Sequence, residues 1–174
     1  AEIARLEATF INVSGLIYDT RFDRNNADVN QWTKEGKATV NNTWDVYTEE
    51  ADYGAYNAAS IESGTGKLSQ TITELTPGLY RVTCQSFDVT DGTNDCAYLF
   101  ANNEKSLVNT ISTEDFGKGT SITTDNNAIK AGAIFAGNDT YNTGEGNKAY
   151  TNEIYVMVGN DGTLTFGIDK TCED

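Results

Sequence analysis

The stretch that most constrains the fold runs from residue 67 to residue 101. It holds three segments rich in β-branched and aromatic residues, separated by two turn signals. The first signal, Thr76-Pro77-Gly78, predicts a type II turn, because proline presets φ at the second position and glycine permits a positive φ at the third. We therefore expect three antiparallel strands joined as a meander.

Two further strands are predicted near the end of the chain. Residues 150–158 alternate, with Asn152, Ile154, Val156 and Val158 on one face. The following Asp161-Gly162 pair predicts a hairpin into a strand over residues 163–169.

Shorter elements complete the predicted fold. Short strands are expected over residues 9–13, 16–18, 31–33 and 38–40, and a short helix over residues 128–136. Many short strands between regular turn signals favour an all-β antiparallel sandwich. We expect one domain, residues 1–174, excised from a larger secreted protein.

The charge and the missing histidines exclude several functions. The 12 Lys and Arg against 26 Asp and Glu give a net charge of −14, which disfavours binding to nucleic acid. The chain has no histidine, which removes Ser-His-Asp and Cys-His catalysis and His-ligated zinc. Carboxylates do not cluster along one strand, so we expect no enzymatic activity. No apolar run approaches the roughly 20 residues that span a bilayer, so we expect no membrane insertion.

The three cysteines leave two alternatives open. Cys84 and Cys96 flank the second turn of the predicted meander, where antiparallel pairing would bring them within disulfide reach. The other reading, which we favour slightly, is two buried free thiols. In either case Cys172 is left over.

Several segments carry a family resemblance. Residues 68–72, 75–82, 97–102, 152–156 and 161–168 resemble the galactose-binding-like jelly rolls of gut and rumen Bacteroidetes, and the likeness covers about residues 16–168. Such modules are appended to secreted glycan-degrading enzymes and resemble carbohydrate-binding modules. The resemblance implies a secreted or cell-surface jelly roll that binds plant or host polysaccharide without catalysis. It also implies a missing closing strand, with residues 9–13 in its place or an open sheet edge that pairs with a second copy.

Sugar recognition needs a flat aromatic face and hydrogen-bonding groups beside it. The candidates are aromatic and amide residues in the polar segments: Trp32, Trp44, Tyr47, Tyr53, Tyr56, Tyr141, Asn57 and Asn142. The alternatives are that both tryptophans are core residues and that Tyr53 is a surface residue without a role. The outward Arg81, Thr83 and Gln85 form a secondary candidate face.

One turn is rich in calcium-type ligands. Asp88, Asp91, Asn94 and Asp95 crowd it, and oxygen ligands from loops suit a structural Ca²⁺. The alternative is that these side chains hydrogen-bond the backbone of their own turn. The alternative function for the whole chain is a structural or protein-interaction module of the same fold, because sandwiches host many functions.

Overall fold

The structure, a computed structural model, describes residues 11–18, 31–48, 51–90, 95–111 and 151–173. Side chains are described for these residues except 41–48, 51–58, 63, 85 and 111. The regular elements in these ranges are nine strands and one 3-10 turn, Ser14–Leu16. Within the same ranges, no helix has the length and the apolar character needed to cross a membrane.

The strands follow the chain in order. They are β1 (Thr33–Thr48), β2 (Ala51–Ile72), β3 (Gly78–Gln85), β4 (Asp88–Val89), β5 (Ala97–Ala101), β6 (Glu104–Leu107), β7 (Thr110–Ile111), β8 (Thr151–Val158) and β9 (Leu164–Lys170).

Two antiparallel sheets contain most of these strands. The larger has the order β1-β2-β9-β5-β6, and the smaller pairs β3 with β8. A short parallel pair joins β4 to β7. The protein is therefore all-β and mostly antiparallel, as the sequence predicts, and the arrangement is that of a β-sandwich.

The core lies between the inner faces of the two sheets. Alternate residues of β8 are buried, as the sequence predicts, and they join one apolar cluster with β5 and β9. Leu99, Leu164 and Phe166 come from the larger sheet, and Ile154 and Val156 from the smaller. Alternation places the remaining side chains of β8 on the outer face of the smaller sheet.

Three polar residues are buried in the described part of the chain, Ser69, Gln70 and Asn152, and the side-chain amide of Asn152 is fully hydrogen-bonded. Asn152 on β8 donates from Nδ2 to the carbonyl oxygen of Ser86 at 2.7 Å and to its hydroxyl oxygen at 2.9 Å. Its Oδ1 accepts from the backbone N–H of Asn109 at 2.8 Å. Asn152 therefore ties β8 to the segments that follow β3 and precede β7.

The predicted meander is wrong in its pairing, although its three strands exist. β2 and β5 belong to the larger sheet, whereas β3 belongs to the smaller one. The chain must therefore cross the core between them, and the buried Leu75 lies in that crossing, where its N–H donates to the carbonyl of Gly162 at 3.0 Å. The type II turn is also wrong, because Glu74 has the positive φ (64°) and Gly78 begins β3 without one.

The Asp161-Gly162 turn is present, but it does not form a hairpin. The N–H of Gly162 donates to the carbonyl of Gly159 at 3.1 Å, and Gly162 has a φ of 63°. The strands on either side, β8 and β9, lie in different sheets. The turn therefore carries the chain from one sheet to the other.

Residues 16–18, predicted as one short strand, have an irregular backbone that the side chain of Gln70 holds in place. The 3-10 turn covers Ser14–Leu16, and Gln70 then receives the N–H of Tyr18 at 3.0 Å and donates to its carbonyl at 3.2 Å. A side-chain amide thus takes the place of a neighbouring strand. In the predicted strand over residues 9–13, the described residues 11–13 are not in a strand.

The two predicted short strands at 31–33 and 38–40 are parts of one strand, β1. Gly36 interrupts the register without ending the strand, because it faces Gly66 with a φ of 60°. A side chain has no room at this close approach, because a β-carbon on Gly36 would collide with the carbonyl oxygen of Thr65. The predicted helix over residues 128–136 lies outside the described residues.

The Cys84–Cys96 disulfide is wrong, and the alternative of two free thiols holds for Cys84 but not for Cys96. Cys96 is bonded to Cys172, with their Cα atoms 5.7 Å apart, so Cys172 is not left over. Cys84 lies opposite Asn152 in the smaller sheet and is free. Burial raises the pKa of the Cys84 thiol, and a hydrogen bond with the Ser86 hydroxyl opposes that rise.

The last strand is not at an edge. β9 pairs with β2 on one side and with β5 on the other, so the open edge expected beside it is absent. Within the described residues, the outermost strands of the larger sheet are β1 and β6.

Candidate functional site

A groove lies between β8 and the turn that joins β5 to β6. It has a volume of about 400 Å³. Its lining comes from β3, the β5–β6 turn and β8: Leu79, Asn102, Asn103, Glu104, Tyr155, Val156 and Met157.

One wall of the groove is the outer face of the smaller sheet. The register sets Leu79 opposite Met157 and Arg81 opposite Tyr155. The exposed fractions of Leu79, Tyr155 and Met157 are 51%, 44% and 67%. Because the inner-face side chains of the same strand are in the core, the alternation that buries Val156 also presents Tyr155 to solvent on a rigid strand.

The opposite wall is a turn that a single asparagine fixes. Asn102 has a φ of 50°, a left-handed conformation that asparagine tolerates. Its Oδ1 accepts from the N–H of Thr165 at 2.9 Å, and its Nδ2 donates to the carbonyl of Thr163 at 3.2 Å. The Asn102 side chain therefore anchors the turn to β9 and is not available to a ligand.

The next two residues supply the polar groups of the groove. Asn103 and Glu104 are exposed, and neither side chain forms a hydrogen bond or an ion pair within the described part of the chain. Glu104 also begins β6, where it pairs with Ala101 of β5. An amide and a carboxyl group thus lie beside a tyrosine ring and two apolar side chains.

This combination suits a ligand with one apolar face and a hydroxylated edge. The tyrosine ring offers a flat surface to C–H groups, while the amide and the carboxyl group take part in hydrogen bonds with hydroxyls. The site is shallow and open to solvent, so its contacts favour weak and reversible binding.

The structure removes one predicted stacking residue. Trp32 is only 8% exposed, its indole N–H donates to the carbonyl of Tyr18 at 3.0 Å, and its ring meets that of Phe166 edge-on at 6.0 Å. A buried ring has no free face for a sugar, so the core reading of Trp32 is confirmed and its stacking role is wrong.

Five other predicted residues lie on the long paired segment of β1 and β2. The backbone register sets Trp44 opposite Tyr56, and Tyr47 opposite Asp52. Thr43 likewise faces Asn57. Tyr53 also belongs to β2. The side chains in this segment lie outside the description, so their role in binding stays a prediction. Tyr141 and Asn142 lie outside the described residues altogether.

The predicted calcium site is described only in part. Asp88 is in β4, where its N–H donates to the carbonyl of Asn109 at 3.0 Å, and Asp95 is exposed. Asp91 and Asn94 lie outside the described residues. Among the residues that the structure describes, no group of three or more His, Cys, Asp or Glu side chains could hold a metal ion. Calcium binding at this turn stays a prediction.

The sequence contains part of the signal for the groove. The alternation of β8 assigns Tyr155 and Met157 to the outer face, and Arg81 and Thr83, predicted to point outward, are indeed exposed. What the sequence does not reveal is that the β5–β6 turn lies beside β8, because that contact depends on how the two sheets pack.

No protein-family model matches this chain, and no curated protein matches it either.

Proposed function

We propose that this protein is a non-catalytic carbohydrate-binding module that holds an attached or associated glycan-active enzyme on polysaccharide. The observation that carries the proposal is the exposed Tyr155 ring on a rigid strand, beside the polar Asn103 and Glu104. A sugar ring would stack on Tyr155, and its hydroxyls would hydrogen-bond the amide and the carboxyl group. We expect a dissociation constant of roughly 10–1000 μM for such a shallow site.

Charge and redox chemistry support the same reading. A net charge of −14 favours a neutral ligand over a polyanion. The Cys96–Cys172 disulfide suits an oxidising compartment, which supports secretion or display at the cell surface. The proposal includes a sandwich of the jelly-roll type, which the sequence resemblance implies.

The predicted residues on β1 and β2 give the proposal a second location. Trp44 and Tyr56 are cross-strand neighbours, and directly opposed residues share one face of a paired ribbon. The groove and the paired segment of β1 and β2 that carries Trp44 and Tyr56, called the ribbon, are therefore tested separately.

Affinity gel electrophoresis against xylans, glucans, mannans and pectins tests the proposal, followed by titration of the glycan that binds. The Tyr155→Ala variant should weaken binding about tenfold, because burying the exposed part of a tyrosine ring contributes about 1.4 kcal/mol. Tyr18→Ala is the matched control, since Tyr18 is 53% exposed outside the groove. Failure to bind any of these glycans would remove the proposal, whereas loss of binding only in Trp44→Ala would move the site to the ribbon.

A second candidate, docking of a protein partner, is favoured by the apolar side of the groove. Leu79 and Met157 face each other across the sheet, and both are more than half exposed. Neither side chain provides the hydrogen bonds that a sugar needs. Retained glycan binding in a Leu79→Ala, Met157→Ala double variant would separate the two functions, because a protein interface depends on such apolar anchors.

A further inference from the structure

We propose that the groove is one end of a linear binding track along β8, so that the ligand is an internal segment of an extended neutral polysaccharide. A single sugar or a chain end would use only the groove. This inference rests on the proposed function and specifies the class of glycan.

The register of the smaller sheet defines the track. Three cross-strand pairs follow one another on its outer face: Leu79 with Met157, Arg81 with Tyr155, and Thr83 with Glu153. Residues two apart on a strand are about 6.8 Å apart. The track from Met157 to Glu153 is therefore about 13 Å long, longer than the contact that one ring makes with Tyr155.

All six side chains of the track are exposed. On the outer face of β8, Glu153, Tyr155 and Met157 are all exposed. A ligand that enters the groove can thus continue along the strand in the direction of Glu153.

The chemistry changes along the track. Leu79 and Met157 give an apolar end, Tyr155 gives a flat ring, and Thr83 with Glu153 gives a hydroxyl and a carboxyl group at the far end. A ring stacked on Tyr155 would place its neighbour beside Thr83 and Glu153, where hydroxyls find hydrogen-bond partners. Arg81 already has an interaction within the protein, so the ligand contacts of the track come from the other five side chains.

The shape of the groove disfavours recognition of a chain end. Sites that select one small ligand usually bury most of its surface in a concave pocket. Here Tyr155 is 44% exposed as a residue, and its strand neighbours on the same face are exposed as well. An open face of this kind binds a chain from the side.

The test is a length series prepared from whichever polysaccharide binds in the gel screen. Isothermal titration with its mono-, di-, tri- and hexasaccharide should show affinity rising about tenfold between the single sugar and the trisaccharide. The Thr83→Ala, Glu153→Ala double variant should lose that rise and keep the affinity for the single sugar. Glu62→Ala, an exposed glutamate on β2 in the larger sheet, is the matched control.

The outcomes distinguish failure of the binding track from failure of carbohydrate binding itself. Equal affinity for the single sugar and the hexasaccharide would overturn the track, and so would loss of binding when the reducing ends are reduced with borohydride. Either result leaves carbohydrate binding intact. Absence of binding to every polysaccharide would instead remove the proposed function, and the track with it.

Discussion

Removal of the Cys96–Cys172 disulfide should cost a large part of the stability of this protein. The bond joins the residue before β5 to a residue just after β9, two neighbouring strands of the larger sheet. The N–H of Thr171 donates to the carbonyl of Cys96 at 3.0 Å, so the bond closes the end of an existing ladder. We expect the variant Cys172→Ser to keep this ladder and to lose the constraint on the unfolded chain.

The magnitude follows from the length of the closed loop. The two cysteines are 76 residues apart. The loop-closure entropy for that separation corresponds to about 4.5 kcal/mol at room temperature. With a urea dependence of about 2 kcal/mol per molar, the unfolding midpoint should fall by roughly 2 M.

Urea unfolding followed by tryptophan fluorescence measures this shift, because Trp32 is buried in the folded protein. Cys84→Ala is the control, since Cys84 forms no disulfide and its variant leaves the cross-link in place. Peptide mapping without reduction should show Cys96 linked to Cys172, and thiol titration of the denatured, unreduced chain should find one free thiol. A midpoint shift below about 0.5 M, or a linked peptide that contains Cys84, would refute the reasoning.

Three further predictions concern the frame that supports the groove. Gly167→Ala should destabilise the fold by more than about 2 kcal/mol, because a β-carbon there would collide with the carbonyl oxygen of Leu68 and the φ of 158° is strained for other residues. Gly78→Ala is its control and should change the urea midpoint little, because a β-carbon at Gly78 has no neighbouring atom within 4 Å. Asn152→Ala should cost about 1–3 kcal/mol in the same assay, because it removes the part-buried hydrogen bonds of this amide to the N–H of Asn109 and to Ser86; a loss as small as that of a surface variant would contradict the network. The raised pKa of Cys84 means that the folded protein holds the thiol proton more tightly than the unfolded chain. Stability should therefore fall as the pH rises above 9.0, the ordinary value, and an equal fall in Cys84→Ala would show that another group is responsible.

Local pattern predicted strand existence well and strand pairing poorly. The alternation of residues 150–158 reports burial directly, and β8 has the predicted inner and outer faces. Turn signals such as Asp161-Gly162 mark where the chain reverses, but they do not say whether the next strand pairs with the last one. In this sandwich the chain passes from one sheet to the other at Asp161-Gly162. The same turn residues that suit a hairpin therefore connect two strands, β8 and β9, that do not pair.

The same limit applies to the cysteines and the groove. The placement of Cys84 and Cys96 on either side of one turn makes their pairing one of two alternatives, whereas Cys96 is bonded to a residue 76 positions away. Tyr155 is identifiable as an outward residue from its position in an alternating strand. Its proximity to Asn103 and Glu104 is not, because it depends on the packing of the β5–β6 turn beside β8.

The most direct test of carbohydrate binding at the groove is an amide chemical-shift titration of the isotope-labelled protein with an oligosaccharide from the polysaccharide that it binds. Binding at the groove predicts shifts concentrated at Leu79, at Asn103 and Glu104, and along residues 153–157, and their loss in Tyr155→Ala but not in Tyr18→Ala. Shifts confined to residues outside the groove, or equal shifts in wild-type and Tyr155→Ala protein, would contradict the assignment of the binding site to this face.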